Sequence, residues 1–259
     1  MLSLVKELCL LNGVSSGEDE VRAFIREKAA PYAEAMRTDA LGNLIVFKKG
    51  AKATGNKLML TAHMDEVGFI VNDITEDGYL KFAPVGGIDP RVVIGKRVSV
   101  GLGRVQGAIG LKAYHLVSAE EEKNVPKFED MYIDIGARDR ADAEAAVALG
   151  ALVSFESDAV EFGCGMFKAK AIDDRVGCAV MLKLLEEELP MDCTFVFSTQ
   201  EEVGTRGAFG AAFSVTPEIA LVLEGTTAAD LPGTDSHRQV AVPGRGPVLS
   251  FMDGGTVYD

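Results

Sequence analysis

The chain has 259 residues, 26 of them basic and 39 acidic, and the resulting formal charge of −13 argues against nucleic acid or an anionic membrane surface as the main partner. An apolar fraction of 47% is that of a globular chain with a real core, long enough for one large domain or two modest ones, and no window approaches 18 uninterrupted apolar residues. Cys9, Cys164, Cys178 and Cys193 are scattered without a C-x-x-C pair, the usage expected of reduced, mostly buried thiols in a cytoplasmic protein.

The apolar stretch Met1–Val14, interrupted by Lys6 and Glu7 and followed by no small-residue cleavage site, reads as a helix rather than a signal peptide. Asn12-Gly13 breaks it. Ser15 or Ser16, with Glu18 and Asp19 behind, then offers a second helix start, with Val21, Phe24, Ile25 and Lys28 on one face and Pro31 at the end. The Gly42-Asn43 turn introduces a β-run at Leu44–Phe47. Next, Leu58–Ala62 is an apolar run of the kind buried on both faces of a sheet, and it ends in His63 with Asp65 two residues on. Ligands collect at the carboxyl ends of such strands, and extended geometry past the strand end lets His63 and Asp65 touch. A carboxylate on the far nitrogen is the usual partner of a metal-binding histidine; a capped strand end with one satisfied histidine is the plainer alternative.

From Gly68 onward the chain predicts short strands at Phe69–Ile74, Tyr79–Phe82, Val92–Val100, Gly107–Leu111 and Tyr132–Ile135, then a helix at Ala141–Leu149 and a strand at Ala151–Phe155. Such spacing suggests a small barrel or sandwich. It occupies residues 69–165, inserted between residues 1–68 and 166–259 of an α/β domain. The glycines of Gly101–Gly107 lack the Gly-Lys-Ser/Thr of a phosphate loop and read as turn glycines, while Glu120–Asn124 reads as a solvated charged loop. The α/β pattern resumes at Lys168–Arg175. A helix follows over Arg175–Leu189, with Val176, Ala179, Val180, Leu184 and Leu185 on its buried side and Asp173 and Asp174 in the strand-to-helix turn. The strand Cys193–Ser198 runs into Gln200-Glu201-Glu202-Val203-Gly204, and Ile219–Leu223 delivers Glu224 after a short helix. The fold class is therefore α/β, a mixed and largely parallel sheet flanked by helices, with an inserted small β-barrel domain.

Each acid alone reads as a cap or a surface charge. Together, three apolar strands ending near Ile172, Ser198 and Leu223 release acids at the edge where His63 sits, and gathered carboxylates repel unless a cation neutralises them. Imidazole with carboxylates suits zinc, cobalt or manganese. In a two-metal site about 3.5 to 4 Å across, one carboxylate bridges and a free base activates the shared water. Adjacent Glu201 and Glu202 diverge, so one can ligate while the other handles protons.

Four motifs, His63-Met64-Asp65-Glu66, Ala171-Ile172-Asp173-Asp174-Arg175, Gln200-Glu201-Glu202-Val203-Gly204, and Leu223-Glu224-Gly225-Thr226-Thr227 with Asp230-Leu231-Pro232-Gly233, together resemble the tetrahedral dinuclear metallo-aminopeptidases. That family includes glutamyl aminopeptidases and members labelled cellulases. The resemblance covers the whole chain, including Val85-Gly86-Gly87-Ile88-Asp89-Pro90-Arg91. It implies a zinc-peptidase-like fold that removes N-terminal residues from short peptides with two divalent ions, zinc or cobalt, per subunit. It further implies that His63 and Glu224 bind one ion, Glu202 the other, and Asp173, in a cis linkage to Asp174, bridges them. Glu201 looks like the general base and Asp65 the partner of His63. By resemblance the inserted module is a dimerisation domain, used in homo-oligomers from dimers to twelve-subunit shells.

The family pattern continues past a segment like Val248–Asp259 to a glycine-rich loop and a late histidine, a position that neither His115 nor His237 matches. The expectation for this chain is one tightly held metal, low activity, and exposed apolar surface near Ile219–Leu223 and Val248–Phe251. Two rival readings are a non-catalytic or weakly active fragment or scaffold, and a glycoside hydrolase working with two carboxylates and no metal.

Overall fold

The computed structural model describes residues 1–53, 57–253 and 255–258. Asp259, the end point of the sequence reading, and Gly254 within Val248–Asp259 lie outside them. Helix α1 (Leu2–Leu10) buries Val5, Leu8 and Cys9, and α2 (Asp19–Ala29) buries Val21, Ile25 and Ala29, a stripe of spacing four. Phe24 packs at its margin, but Lys28 is exposed, so the apolar face ends on Ala29 instead. Strand β1 (Ala35–Thr38) is short and mostly exposed, with Met36 alone packed against the core, so it gives no run or alternation that marks a strand in the sequence. β2 (Leu44–Lys48) and β3 (Leu58–His63) follow as expected, with β3 buried from Met59 to its end.

Strands β4 (Gly68–Ile74), β5 (Leu80–Val85), β6 (Arg97–Val100), β7 (Val105–Gly110), β8 (Tyr132–Asp134) and β9 (Leu152–Phe155) close a barrel in the order β4-β5-β8-β7-β6-β9. Its core, built on Phe69, Leu80, Phe82, Val98, Ile109 and Ile133, is a cluster of its own. The expected strand at Val92–Val100 is a 3₁₀ turn at Pro90–Val92 followed by β6. Asp89 caps that turn, its carboxylate accepting the Arg91 N–H at 2.9 Å, and proline at the first turn position breaks the extended run. Helix α3 (Arg140–Ala146) is correspondingly short.

After an exposed hairpin of β10 (Val160–Phe162) and β11 (Met166–Lys168), the chain enters α4 (Ile172–Glu186) directly. No strand of the main sheet ends near Ile172, which corrects the expectation. The segment before Asp173 carries Lys168 and Lys170, and the Lys170 ammonium is buried against Glu66 at 2.7 Å rather than exposed beside a strand. The buried side of α4 is also rotated: Gly177, Cys178, Ala179, Met181, Leu182 and Leu185 face in, together with Asp174 and Arg175. Then come β12 (Cys193–Ser198), α5 (Arg206–Val215) and β13 (Ile219–Val222).

The main sheet has the order β1-β2-β12-β3-β13. β12 and β13 both run parallel to β3, in a register that places Ser198 opposite His63 and Val222 opposite Thr61. Three strands thus finish on one edge. β2 runs antiparallel to β12, which makes the sheet mixed. Beneath it lie Leu44, Val46, Leu60, Ala62, Phe195 and Phe197, packed against α1, α2 and α4. Among the described residues β13 pairs on one side only; Ile219, Leu221 and Val222 are exposed, as are Leu249 and Phe251 further on.

Candidate metal centre

His63, with a side chain only 2% exposed, sits at the carboxyl end of β3. Its Nε2 lies 3.3 Å from Asp173 Oδ1, 3.6 Å from Glu224 Oε2 and 4.0 Å from Glu201 Oε2. One donor atom each from His63, Asp173 and Glu224 falls within 4.8 Å of the others. These three come from the end of β3, the start of α4 and the residue pair after β13. The site opens to solvent on the acid side, where Asp173 is 58% and Glu224 40% exposed. Glu202 and Asp173 line one cavity of about 430 Å³, together with Glu66, Lys96, Lys168 and Lys170.

On the other side of the ring, His63 Nδ1 is 3.1 Å from the Asp65 main-chain oxygen and 3.4 Å from its Oδ1. Asp65 does more than face the imidazole. Its Oδ1 accepts the Glu201 N–H at 2.9 Å, and its Oδ2 accepts the Glu202 N–H at 3.1 Å and the Ser15 hydroxyl at 2.6 Å. Burial would raise Asp65, but hydrogen bonds from His63, Ser15 and the Glu201 N–H hold it below the usual carboxylate range.

Burial alone would lower the His63 imidazole, yet Asp173, Asp65 and Glu224 outweigh it and push it up to about 11. Glu202 and Glu224 are each raised to about 7, first by burial and then by their acidic neighbours. Asp174 is raised to about 8 by burial and by Glu224. Acids crowd around one imidazole, and the donor set of one ring nitrogen with several carboxylate oxygens fits a divalent cation. His115 and His237 are exposed, in 3₁₀ turns outside this group.

A family model described as M42 glutamyl aminopeptidase matches residues 42–259, most of the chain. The chain belongs to the M42 family. It is accordingly an enzyme of the aminopeptidase class. Among solved structures, it is 34% identical to an aminopeptidase of the archaeon Desulfurococcus kamchatkensis, with a TM-score of 0.89 over 95% of this chain and 68% of that one. A Thermotoga maritima structure described as an endoglucanase is 38% identical, with a TM-score of 0.79 over 93% and 72%. The TET1 peptidase of Pyrococcus horikoshii, described as assembling into a tetrahedron or a large octahedral shell, is 30% identical, with a TM-score of 0.78 over 89% and 72%.

In this M42 chain the histidine is held from behind by α4. The Asp173-Asp174 bond is cis, with Asp173 at the site and Asp174 fully buried below it. Asp174 Oδ2 accepts the His63 N–H at 3.1 Å and its Oδ1 the Gly177 N–H at 3.0 Å, while the Cys178 thiol donates to the His63 carbonyl at 3.2 Å. Arg175 donates from Nε to the Met64 carbonyl at 2.8 Å and from Nη1 to the Leu8 carbonyl at 2.6 Å. Both main-chain groups of His63 are therefore fixed by side chains one turn apart. The sequence reading misses Asp174, Arg175 and Ser15. Its usable signal is Asp174-x-x-Gly177, since a β-carbon at Gly177 would lie 2.5 Å from Asp174 Oδ1.

Proposed function

We propose that this chain is a metal-dependent aminopeptidase that removes N-terminal residues from short peptides through a water activated between two divalent ions, zinc or cobalt. The observation that carries the reading is the convergence of His63, Asp173 and Glu224 within 4.8 Å. His63 and Glu224 would hold one ion and Glu202 the other, with Asp173 between them. Divalent ions held by these residues would supply polarisation of the scissile carbonyl and a water of lowered pKa. Glu201, whose carboxylate stands 4.0 Å from the imidazole, would be the base that takes a proton from the attacking water and passes it to the leaving amine. Asp65 keeps Nδ1 of His63 engaged so that Nε2 faces the acids. The cavity beside Asp173 and Glu202 receives the peptide, whose amino terminus the site carboxylates attract.

Among the described residues the second ion would have Asp173 and Glu202 as ligands, and two carboxylates would hold it more weakly than a set that includes the His63 imidazole. The name of the TET1 peptidase supports a homo-oligomer, and the module at residues 69–165, with Val92, Tyr114 and Leu116 exposed, is the surface proposed for subunit contact. Three buried and one exposed free thiol suit the reducing cytoplasm. Among the described residues no helix is long and apolar enough to cross a membrane.

The test is hydrolysis of aminoacyl p-nitroanilides and dipeptides before and after chelation, with cobalt or zinc added back. Activity lost with the metal and regained with it supports the reading. Chelator-resistant hydrolysis of a β-glucan would instead support the two-carboxylate reaction that the endoglucanase description suggests. Glu201→Gln should retain metal and lose turnover about 10²- to 10⁴-fold.

A further inference from the structure

The Ser15–Glu18 segment reads in sequence as a helix start, but the structure uses it elsewhere. Glu18 occupies the N-cap position of α2 without capping it; no side-chain hydrogen bond to the helix is made there. Its carboxylate, in a residue 3% exposed, instead accepts the Ser16 N–H at 2.8 Å and the Gln200 N–H at 3.2 Å, both on Oε1. The next two N–H groups, of Glu201 and Glu202, go to the two oxygens of Asp65. Three successive peptide donors thus point inward at two buried carboxylates. Gln200 has a left-handed φ of +54°, the backbone form that turns consecutive N–H groups into a concave anion-binding nest. Here protein carboxylates fill the nest.

Ser15, 2% exposed, completes the joint: its hydroxyl donates to Asp65 Oδ2 at 2.6 Å and its N–H to the Glu66 carbonyl at 3.3 Å, beside the bridge between Val14 and Glu66. Burying two such carboxylates without partners would be costly, and each loses a main-chain donor if the 200–202 loop leaves this form. With its N–H groups turned inward, the loop presents the Glu201 and Glu202 side chains outward, toward His63 and Asp173. We infer that Glu18 and Ser15 are positioning residues for the Gln200–Glu202 loop, holding its backbone so that Glu201 and Glu202 stand at the metal centre. The functional consequence rests on the metal reading above; the holding of the loop does not.

The test compares Glu18→Ala, Glu18→Gln, Ser15→Ala and Ser15→Thr with the parent chain, first without metal by amide hydrogen exchange and then by cobalt titration followed by absorption. Glu18→Ala should lose protection at Gln200 and Glu201 in the metal-free chain. Its cobalt affinity should fall about 10- to 100-fold, the usual effect of removing a partner behind a ligand, with an altered cobalt spectrum. Glu18→Gln keeps an oxygen that accepts the same two N–H groups and should restore both readouts, as Ser15→Thr should for Ser15→Ala. An acid serving only the helix start would show faster exchange in the first turn of α2, parent-like exchange at 200–202 and parent-like cobalt binding in Glu18→Ala. That result overturns the inference. If Glu18→Ala does not fold, the Ser15 pair decides in the same way, because a hydroxyl-to-hydrogen change leaves α2 intact. A parent chain that takes up no cobalt removes the metal reading, and the metal-free exchange comparison still judges the role of Glu18.

Discussion

His63 stands among acids that favour a proton on its ring. Its value rises from 6.5 to about 11, and those of Glu202 and Glu224 from 4.5 to about 7. All three shifts have the same sign: between each ordinary value and its raised one, the folded chain binds more protons than the unfolded chain. Stability of the metal-free protein therefore falls as pH rises, first through the window from 4.5 to about 7 set by the two glutamates and then from 6.5 to about 11 set by His63. With a chelator present, the urea midpoint should be lower near pH 8 than near pH 5. Saturating zinc should reverse or flatten that slope, because metal replaces the protons and binds better as they leave. A midpoint that climbs with pH in the chelated chain would contradict this. At the same scale, Asp173→Asn should weaken metal binding as well as turnover, because it removes charge from the carboxylate set between the two proposed ions. The acids after Ser198 and Leu223 were legible because each follows an apolar strand. Asp174 was not, because beside Asp173 it looks like a second acid favoured by a helix start, whereas it is fully buried under the His63 backbone.

Elements carry the precision of the site through two packings. The sheet packing is visible in sequence: β3, β12 and β13 are apolar runs, and their parallel register brings three strand ends to one edge. Phe195 sits fully buried in the middle of β12, so Phe195→Ala should cost about 3 to 5 kcal/mol by leaving a cavity under the sheet, measured by urea denaturation. The second packing, α4 against the end of β3, is polar and could not be read from hydrophobic period. Gly177→Ala tests it, since the added methyl would press on Asp174 Oδ1 from 2.5 Å. A loss of about 1 to 3 kcal/mol is expected from such overpacking, with weaker cobalt binding because the His63 N–H loses its acceptor. Unchanged cobalt affinity at reduced stability would place the clamp outside the function of the site. Short, exposed pieces were the other blind spot. β1 and the β10–β11 hairpin bury so little that no alternation marks them, and Pro90 turned the head of an apolar run into a 3₁₀ turn.

At the scale of the whole molecule, the proposed ligands tie together parts of very different burial. His63 ends the central, buried β3, whereas Glu224 follows β13, an edge strand whose four residues are all exposed. β13 is held by its ladder to β3 and by flanking bonds such as Leu223 N–H to the Thr61 carbonyl at 2.9 Å, with little apolar burial behind them. Strands of this kind open locally at a fraction of the global unfolding cost. An ion between His63 and Glu224 would close the gap, and by mass action it would stabilise the folded chain by about 2.7 kcal/mol at a hundredfold excess over its Kd. That stabilisation should not be spread evenly. Amides of Leu221, Val222 and Leu223 should slow most on adding zinc or cobalt, those of β2, which provides no proposed ligand, should change only as much as global stability does, and Glu224→Gln should erase the difference. Uniform slowing across β2 and β13, or none at β13, would show that Glu224 takes no part in holding the ion and that the site closes on His63 and Asp173 alone.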